Sequence, residues 1–425
     1  MKYKPRILAD KLKRMVARFP VIIVSGARQV GKSTLLRHEL SGWDTVVLDP
    51  ATDVGNARRD PDLFLDNHPT PLILDEIQYA PELVAAIKRR VDRAHEKPPP
   101  NGSARHTTPH RALFVLTGSQ QWAVLKSAGE SLAGRAVFLD LQGFCLAEIA
   151  GTGGTHHWLE RYLDDPARFT ACDHPRLPAR RTMQEQLWRG FLPAADSLEK
   201  GWIPDYYRSY LRTYIERDIR LVSDARDQQQ FGRFVQLVAA LTAQEINHSQ
   251  LGRELGVTPQ TAQRWLANLV ATFQWFEIPA FHGNTLKRLS AKPKGYIADT
   301  GLACALQSIS TWQTLSGHPL VGPLFESAVV GEIRKLSATL ATPPNLYHWR
   351  SHGGAEVDLL LERDGIFYPI EIKLASHPST GDTRGIQAFR AAYPALKTAP
   401  GLVIGPVEKS QRLSPNDWAL PWDTR

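Results

Sequence analysis

One stretch of this chain admits few structures. In VIIVSGARQVGKSTLL, residues 21–36, an apolar β-branched run (Val21, Ile22, Ile23, Val24) stops at Ser25-Gly26 and restarts as GKSTLL, which reads as a helix. Residues 26–33, GARQVGKS, fit the phosphate-binding pattern G-x-x-x-x-G-K-[ST], with the strand before and the helix after that the pattern requires. Gly26 and Gly31 let the backbone wind so that successive N–H groups, from Ala27, Arg28, Gln29 and Val30 through to Thr34, turn towards a phosphate. The helix N-terminus adds its positive dipole end. Lys32 would reach the β- and γ-phosphates, and the Ser33 hydroxyl would hold Mg²⁺. The stretch predicts a site for ATP with Mg²⁺.

The whole chain sets wider bounds. At 425 residues it has room for two or three domains, and 43% hydrophobic with 22% charged residues is ordinary for a globular protein. A net charge of +8 leans towards an anionic partner, of which DNA is the foremost class. The three cysteines, Cys145, Cys172 and Cys304, lie far apart with no C-x-x-C pair, which argues against a disulfide framework or a zinc site. No apolar run reaches membrane-spanning length, and MKYKPRILADKLKRM lacks the apolar core of a signal peptide. The expectation is a cytoplasmic protein with no membrane partner.

Residues 6–18 read as a lead-in helix beside the first strand, TVVLDP (45–50) as a second strand, and PLILDEIQ (71–78) as a buried strand ending in two acids. An apolar run closed by Asp75-Glu76 about forty residues after a P-loop is the Walker B pattern. Asp75 would hold Mg²⁺ and Glu76 would polarise the attacking water. An amphipathic helix at 81–95 and an exposed loop at 98–110 follow. RALFVLTGSQQ (111–121) then brings Thr117 and Ser119 to the sheet edge of the P-loop, either as γ-phosphate sensors or as a plain turn. SLAGRAVFLDLQGF (131–144) is a last strand. Before it stands Arg135, an arginine finger in cis or towards a neighbouring copy's nucleotide, or else half of a structural ion pair.

Five parallel strands with the Walker A and Walker B strands separated by another form a doubly wound, AAA+-like sheet with its ligand at the strand C-termini. GARQVGKST, LILDEIQYAPEL, FVLTGSQ and SLAGRAVFLDL resemble a bacterial and archaeal family of AAA+ P-loop ATPases. In that family the module is joined to a C-terminal domain of unknown function related to PD-(D/E)xK nucleases. The resemblance continues in WRGFLP (188–193) and YLRTYIERDIR (210–220), and lapses at 151–186, where this chain carries a longer polar insert.

Downstream, residues 206–222 read as a long amphipathic helix. HSQLGRELGVTPQTAQRWLANLV (248–270) has helix-turn-helix spacing: Leu251 and Leu255 anchor one helix, Gly256 turns, Thr258 caps a second, and Ala262, Trp265, Leu266 and Leu269 face inward. Strands in 275–281 and 285–301 would make a wing. Gln260, Gln263 and Arg264 would then face a DNA groove while Lys287, Arg288, Lys292 and Lys294 grip phosphates. The alternative is a lid or a protein-docking module.

From residue 320 the pattern changes again. PLFESAVVGEIRKL (323–336) is a helix carrying Glu326 and Glu332, and residues 346–375 read as strand, turn, hairpin and strand. Asp358, then Glu371-Ile372-Lys373 on the strand after an Asp364-Gly365 turn, together with Glu326, make the PD-(D/E)xK pattern. The carboxylates of Glu326, Asp358 and Glu371 would hold Mg²⁺, Lys373 would activate water, and Gln387 would contact substrate. A nuclease fold does not by itself imply cleavage.

The sequence thus predicts an α/β protein in three parts: an AAA+-like P-loop ATPase domain (1–200), a helical linker with a winged helix-turn-helix (201–305), and a small restriction-endonuclease-like domain (306–425). The function expected is Mg-ATP hydrolysis coupled to DNA, with a homo-oligomer allowed by an arginine finger in trans. The rival is a nucleotide-dependent signalling or scaffold switch whose later domains dock proteins.

Overall fold

In the computed structural model, residues 3–49, 54–96, 112–119, 132–153, 156–178, 180–213, 228–284 and 291–425 are described. The chain divides into two compact units: Leu8–Gly143 with Ala271–Phe273, and Met1–Ile7 with Phe144–Val270 and Gln274–Arg425. Residues 144–200 therefore group with the second unit, although the sequence reading attached them to the P-loop domain.

The P-loop unit is built on five parallel strands in the order β2-β3-β4-β1-β5: β1 Val21–Ser25, β2 Asp44–Val47, β3 Leu72–Asp75, β4 Phe114–Gly118 and β5 Ala136–Asp140. This parallel five-stranded sheet matches the P-loop ATPase fold, with β4 lying between the strand that leads into the P-loop and the strand that ends in Asp75. The three central strands are buried along their whole length, as continuous apolar runs in a sheet covered on both faces must be. Helix α1 (Ala9–Val16) buries Leu12 and delivers the chain to β1, and α3 (Leu83–Glu96) adds Leu83, Val84, Ile87 and Val91 to the core. Register fixes the working edge. Ser25 of β1 stands beside Gly118 of β4 and Asp140 of β5, so the glycine loop, Asp75 and Thr117 all emerge at one end of the sheet.

The other unit contains a two-helix turn, α4 (His248–Leu255) and α5 (Pro259–Ala271), and a small antiparallel sheet in the order β6-β8-β7. Its strands are β6 Gln244–Glu245, β7 Trp275–Ile278 and β8 Lys294–Ile297. Gly256 ends α4 at φ 67°, and Thr258 Oγ1 accepts from Thr261 N at 3.1 Å to start α5. The chain after β7 runs beside β9 (Asn345–Arg350), where Phe281 N donates to His348 O. From β9 a second sheet continues through β10 (Glu356–Arg363) and β11 (Ile366–Ile372), antiparallel across the Asp364-Gly365 turn, where both residues have positive φ. It then becomes parallel through β13 (Gly401–Gly405) and β15 (Asp417–Pro421), with β12 (Lys397–Thr398) beside β11 and β14 (Gln411–Ser414) at the rim. Helix α6 (Val321–Ser337) is almost wholly buried, and α7 (Arg384–Ala392) packs Ile386 and Phe389 against β10 and β11.

The segment read as a polar insert is a packed part of this unit. Trp158, Leu159, Tyr162 and Leu163 recur at helical spacing and are buried, Tyr162 donates to Pro400 O, and Tyr368 donates to Leu163 O. The expected helix at 206–222 is described as Ile203–Thr213; its ERDI segment lies outside the described residues, as do the 98–110 loop and Lys287 and Arg288.

Two outcomes follow from this packing. A Cβ on Gly26, whose φ is 150°, would lie 2.0 Å from Leu141 O, while one on Gly42 would meet nothing within 4 Å. Gly26→Ala should therefore lower the urea stability of the P-loop unit by about 1–3 kcal/mol, and Gly42→Ala should leave the midpoint unmoved. Burial, ahead of the flanking charges, pushes the His157 imidazole down from 6.5 to about 4. Its ring bonds Thr339 Oγ1 at 2.8 Å and caps the next helix through Glu160 N. A group kept neutral in the fold lends stability above its unfolded pKa and loses it as pH falls, here between 6.5 and about 4. His157→Asn retains a capping acceptor without titrating, so melting curves across that window should show a shallower acid loss than wild type.

Candidate functional site

Gly26 and Gly31 (φ 93°) bracket a loop pinned from beneath by buried Val30 and Ala27. Gln29 also takes a positive φ, 63°. Helix α2 (Lys32–Glu39) begins at Lys32, whose buried ammonium donates to Gly26 O at 2.9 Å and Ala27 O at 3.0 Å, so it spans the mouth of the loop. Ser33 Oγ donates to Asp75 Oδ2 at 2.6 Å. Asp75, 5% exposed, takes the Thr117 hydroxyl on its other oxygen. Thr34 follows on the exposed side of the first helical turn.

Glu76 sits in the left-handed region at φ 63°, a conformation that costs a non-glycine residue on the order of 1–3 kcal/mol. Thr117 Oγ1 holds it by accepting from Glu76 N at 3.1 Å. The carboxylate itself is held by Gln78 Nε2, which also reaches Ser119 Oγ at 3.3 Å. Thr117 thus touches both members of the acid pair, and Ser119 touches Gln78, which holds Glu76. Sequence reasoning missed Gln78; the signal was its place two residues beyond Glu76, where the chain turns back into a short helix over Ile77–Tyr79.

Arg135 belongs elsewhere. It precedes β5, whose first residue pairs with Val21, the first of β1, so it stands at the opposite edge of the sheet from Gly26, about 16 Å of strand away. Its guanidinium forks onto Asp92 of α3 at 2.5 and 3.1 Å. The arginine-finger role in cis gives way to the ion pair because the strand delivers Arg135 to the wrong end.

In the helix pair of the other unit, Gln260, Gln263 and Arg264 are exposed and Ala262, Trp265, Leu266 and Leu269 are buried, as their spacing required. Lys292 is exposed. Lys294, expected to grip phosphate, is 4% exposed and points inward. Its Nζ lies 2.7 Å from Glu326, 2.7 Å from Glu356 and 3.2 Å from Asp358. The reason is the strand's two-residue period, which puts Lys294 and Tyr296 on one face of β8, Tyr296 also donating to Glu326 at 2.8 Å.

Of the acids named from the nuclease pattern, Glu326 and Asp358 meet this lysine, whereas Glu371 meets Lys373. Asp358 Oδ2 accepts from Ile372 N at 2.9 Å, and Lys373 Nζ donates to Glu371 Oε1 at 2.6 Å, the same-face pair that alternation predicts. Glu371 Oε2 is buried with no hydrogen-bond partner. Burial, then the Asp358 charge, pushes Glu326 up to about 7 and Glu371 up to about 8. Burial alone would lower Lys294 and Lys373, but the surrounding carboxylates hold both above the usual lysine range. Among the described residues no three His, Cys, Asp or Glu side chains form a group able to hold a metal ion. Glu332, six positions along α6, faces away and accepts from Leu146 N at 2.9 Å, and Gln387 is exposed, donating to Thr383. Glu356 went unassigned in the sequence, though it shares a face of β10 with Asp358.

Comparison with known proteins agrees with the first of these sites. The model of an AAA domain matches residues 18–150, and two domains of unknown function, DUF8612 and DUF4143, match residues 180–313 and 321–424. Uncharacterized proteins of Mycobacterium bovis and Mycobacterium tuberculosis are each 29% identical over 419 residues, 98% of this chain and 83% of theirs. Among solved structures, a Walker-type ATPase of Pyrococcus abyssi is 14% identical with a TM-score of 0.43, covering 72% of this chain and 99% of its own. The Thermotoga maritima RuvB Holliday junction branch migration motor is 15% identical with a TM-score of 0.28, covering 67% of this chain and 91% of its own. No described helix is long and apolar enough to cross a membrane. The AAA-domain match and the sheet order together support a P-loop, AAA-like ATPase domain.

Proposed function

We propose that this chain binds and hydrolyses Mg-ATP at the edge of its parallel sheet. The observation that carries the reading is the bond between Ser33 Oγ and Asp75 Oδ2, 2.6 Å, beneath a glycine loop spanned by Lys32. An oxygen pair of this kind, one hydroxyl and one carboxylate supported from behind by Thr117, is the donor set a hard divalent ion takes beside phosphate. The residues fit the ion. Held there, Mg²⁺ supplies neutralisation of charge on the phosphate oxygens. The loop N–H groups and Lys32 orient the phosphates, and Glu76, held by Gln78 and Thr117, orients and polarises the attacking water.

Two substitutions separate binding from turnover. Lys32→Ala removes a charge-assisted donor worth about 1.5–3 kcal/mol, so nucleotide affinity should fall about tenfold to a hundredfold. Glu76→Gln should bind ATP normally in equilibrium titration while kcat drops by about 10²–10⁴. Turnover by Glu76→Gln at the wild-type rate would overturn the role given to Glu76.

For the other unit, the reading is that α4, α5 and the β6-β8-β7 sheet act as a winged helix-turn-helix on duplex DNA. The exposed trio Gln260, Gln263 and Arg264 along one side of α5 supports it, since these carry hydrogen-bonding and positive groups on the face left bare by packing. The second reading, a nucleotide switch that docks proteins, draws support from the burial of Lys294, which removes one expected phosphate contact. Salt separates them. Duplex binding should weaken steeply between about 50 and 200 mM salt, with Lys292→Ala reducing the slope by about one. Absence of salt-sensitive binding would favour the docking switch.

A further inference from the structure

We propose that Lys294 is the resident cation of the carboxylate cluster in the second unit, standing where a nuclease-like site would hold a divalent metal and keeping that metal out. An ammonium has three N–H donors, and Lys294 meets three carboxylates from two elements, Glu326 on α6 and Glu356 and Asp358 on β10. Its donors are thereby saturated. A hard divalent ion would need these same oxygens at about 2.0–2.6 Å, so it and the ammonium claim the same ligands.

The remaining acid completes the picture. Glu371 is 5% exposed, its Oε1 is taken by Lys373, and its buried Oε2 has no partner. That oxygen is hemmed in by the start of α7, where a Cβ on Gly385 would come within 3.2 Å of it and 1.8 Å of Glu356 O. A metal site would recruit this unpartnered oxygen together with Asp358 and Glu326. Instead the set is split: Glu326, Glu356 and Asp358 converge on the Lys294 ammonium, Lys373 binds Glu371, and among the described residues no group of acids is left arranged to hold a metal ion. The residues as arranged therefore do not fit a divalent metal, and no cleavage step is assigned to them.

This arrangement gives the acids another task. Lys294 comes from β8 of the small sheet, so its three ion pairs fasten that sheet to α6 and β10, assisted by Tyr296 on Glu326 and by His348, which bonds Lys292 O at 3.2 Å. A buried, multiply bonded charge is costly to misplace and so fixes one register. The E-x-K strand is then part of a clamp.

The test uses the full chain without nucleotide, titrated with Mn²⁺ and read by electron paramagnetic resonance, so it does not depend on the ATPase reading. Wild type and Glu371→Gln should bind the same amount of Mn²⁺. Lys294→Met, which keeps the stem and removes the charge, should gain one Mn²⁺ per chain, and the double variant Lys294→Met/Asp358→Asn should lose it again. Wild-type Mn²⁺ uptake that Glu371→Gln abolishes would overturn the proposal, because the cluster would then hold metal with its lysine in place. A folded Lys294→Met that gains no Mn²⁺ would overturn it equally. Should Lys294→Met fail to fold, the comparison of wild type with Glu371→Gln still decides.

Discussion

The nucleotide site depends on one buried carboxylate. Asp75 ends β3 with both oxygens engaged, one by the Ser33 hydroxyl and one by the Thr117 hydroxyl. A half-satisfied buried carboxylate is expensive, whereas one accepting two hydroxyls is secured. The pairing works because β4 lies between β1 and β3: Thr117 is the neighbour that bridges the two functional strands, and it also holds Glu76 N at 3.1 Å. Without β4 beside β3, Asp75 would lose the second of its two hydroxyl donors and Glu76 N its acceptor. The sheet topology and the chemistry are the same constraint seen at two scales.

This part of the molecule was legible because its signals are local and redundant. The strand–glycine–helix spelling, the apolar run into Asp75-Glu76 and the Thr117 turn each name their own element, and parallel register brings them to one edge. Gln78 escaped notice since its one mark in the sequence is its place two residues beyond Glu76; the left-handed bend at Glu76, φ 63°, aims it back. Arg135 shows the converse. An arginine after a glycine before a strand looks mobile and available, yet a strand's direction decides which end of the sheet it serves, and sequence proximity to Asp92 is nil. Direction and long-range pairing are what a linear pattern does not carry.

The lysine of β8 misled for a related reason. KRLSAKPKGY is dense in positive charge, and such runs are ordinarily solvated or phosphate-facing. Its outcome depends on residues some sixty positions away: Glu356 and Asp358, which accept from Lys294, alternate onto one face of β10. The pairing of Glu371 with Lys373 follows from alternation along one strand, but spelling says nothing of which cation sits at Asp358. Two positive side chains hold the acids that the pattern alone would give to metal, Lys294 on Glu326 and Asp358 and Lys373 on Glu371.

Helix α6 shows why the second unit behaves as one body although two family models divide it near residue 320. Along its length it sends Glu326 to Lys294 and Tyr296, and Ser327 to Thr242 at 2.8 Å. Farther on, Glu332 caps the helix that starts at Leu146, and Lys335 donates to Phe144 O at 2.9 Å. Just past its end Thr339 meets His157. Each of these is a buried polar contact with a segment that lies before residue 320. Cutting the chain there would take from Lys294, Glu326, Glu332 and Lys335 these long-range partners, and breaking a buried ion pair costs about 3–5 kcal/mol. That cost is comparable to the whole stability of a domain this size. The small sheet, the packed insert and the larger sheet are therefore held as a single structure by the polar side of one buried helix.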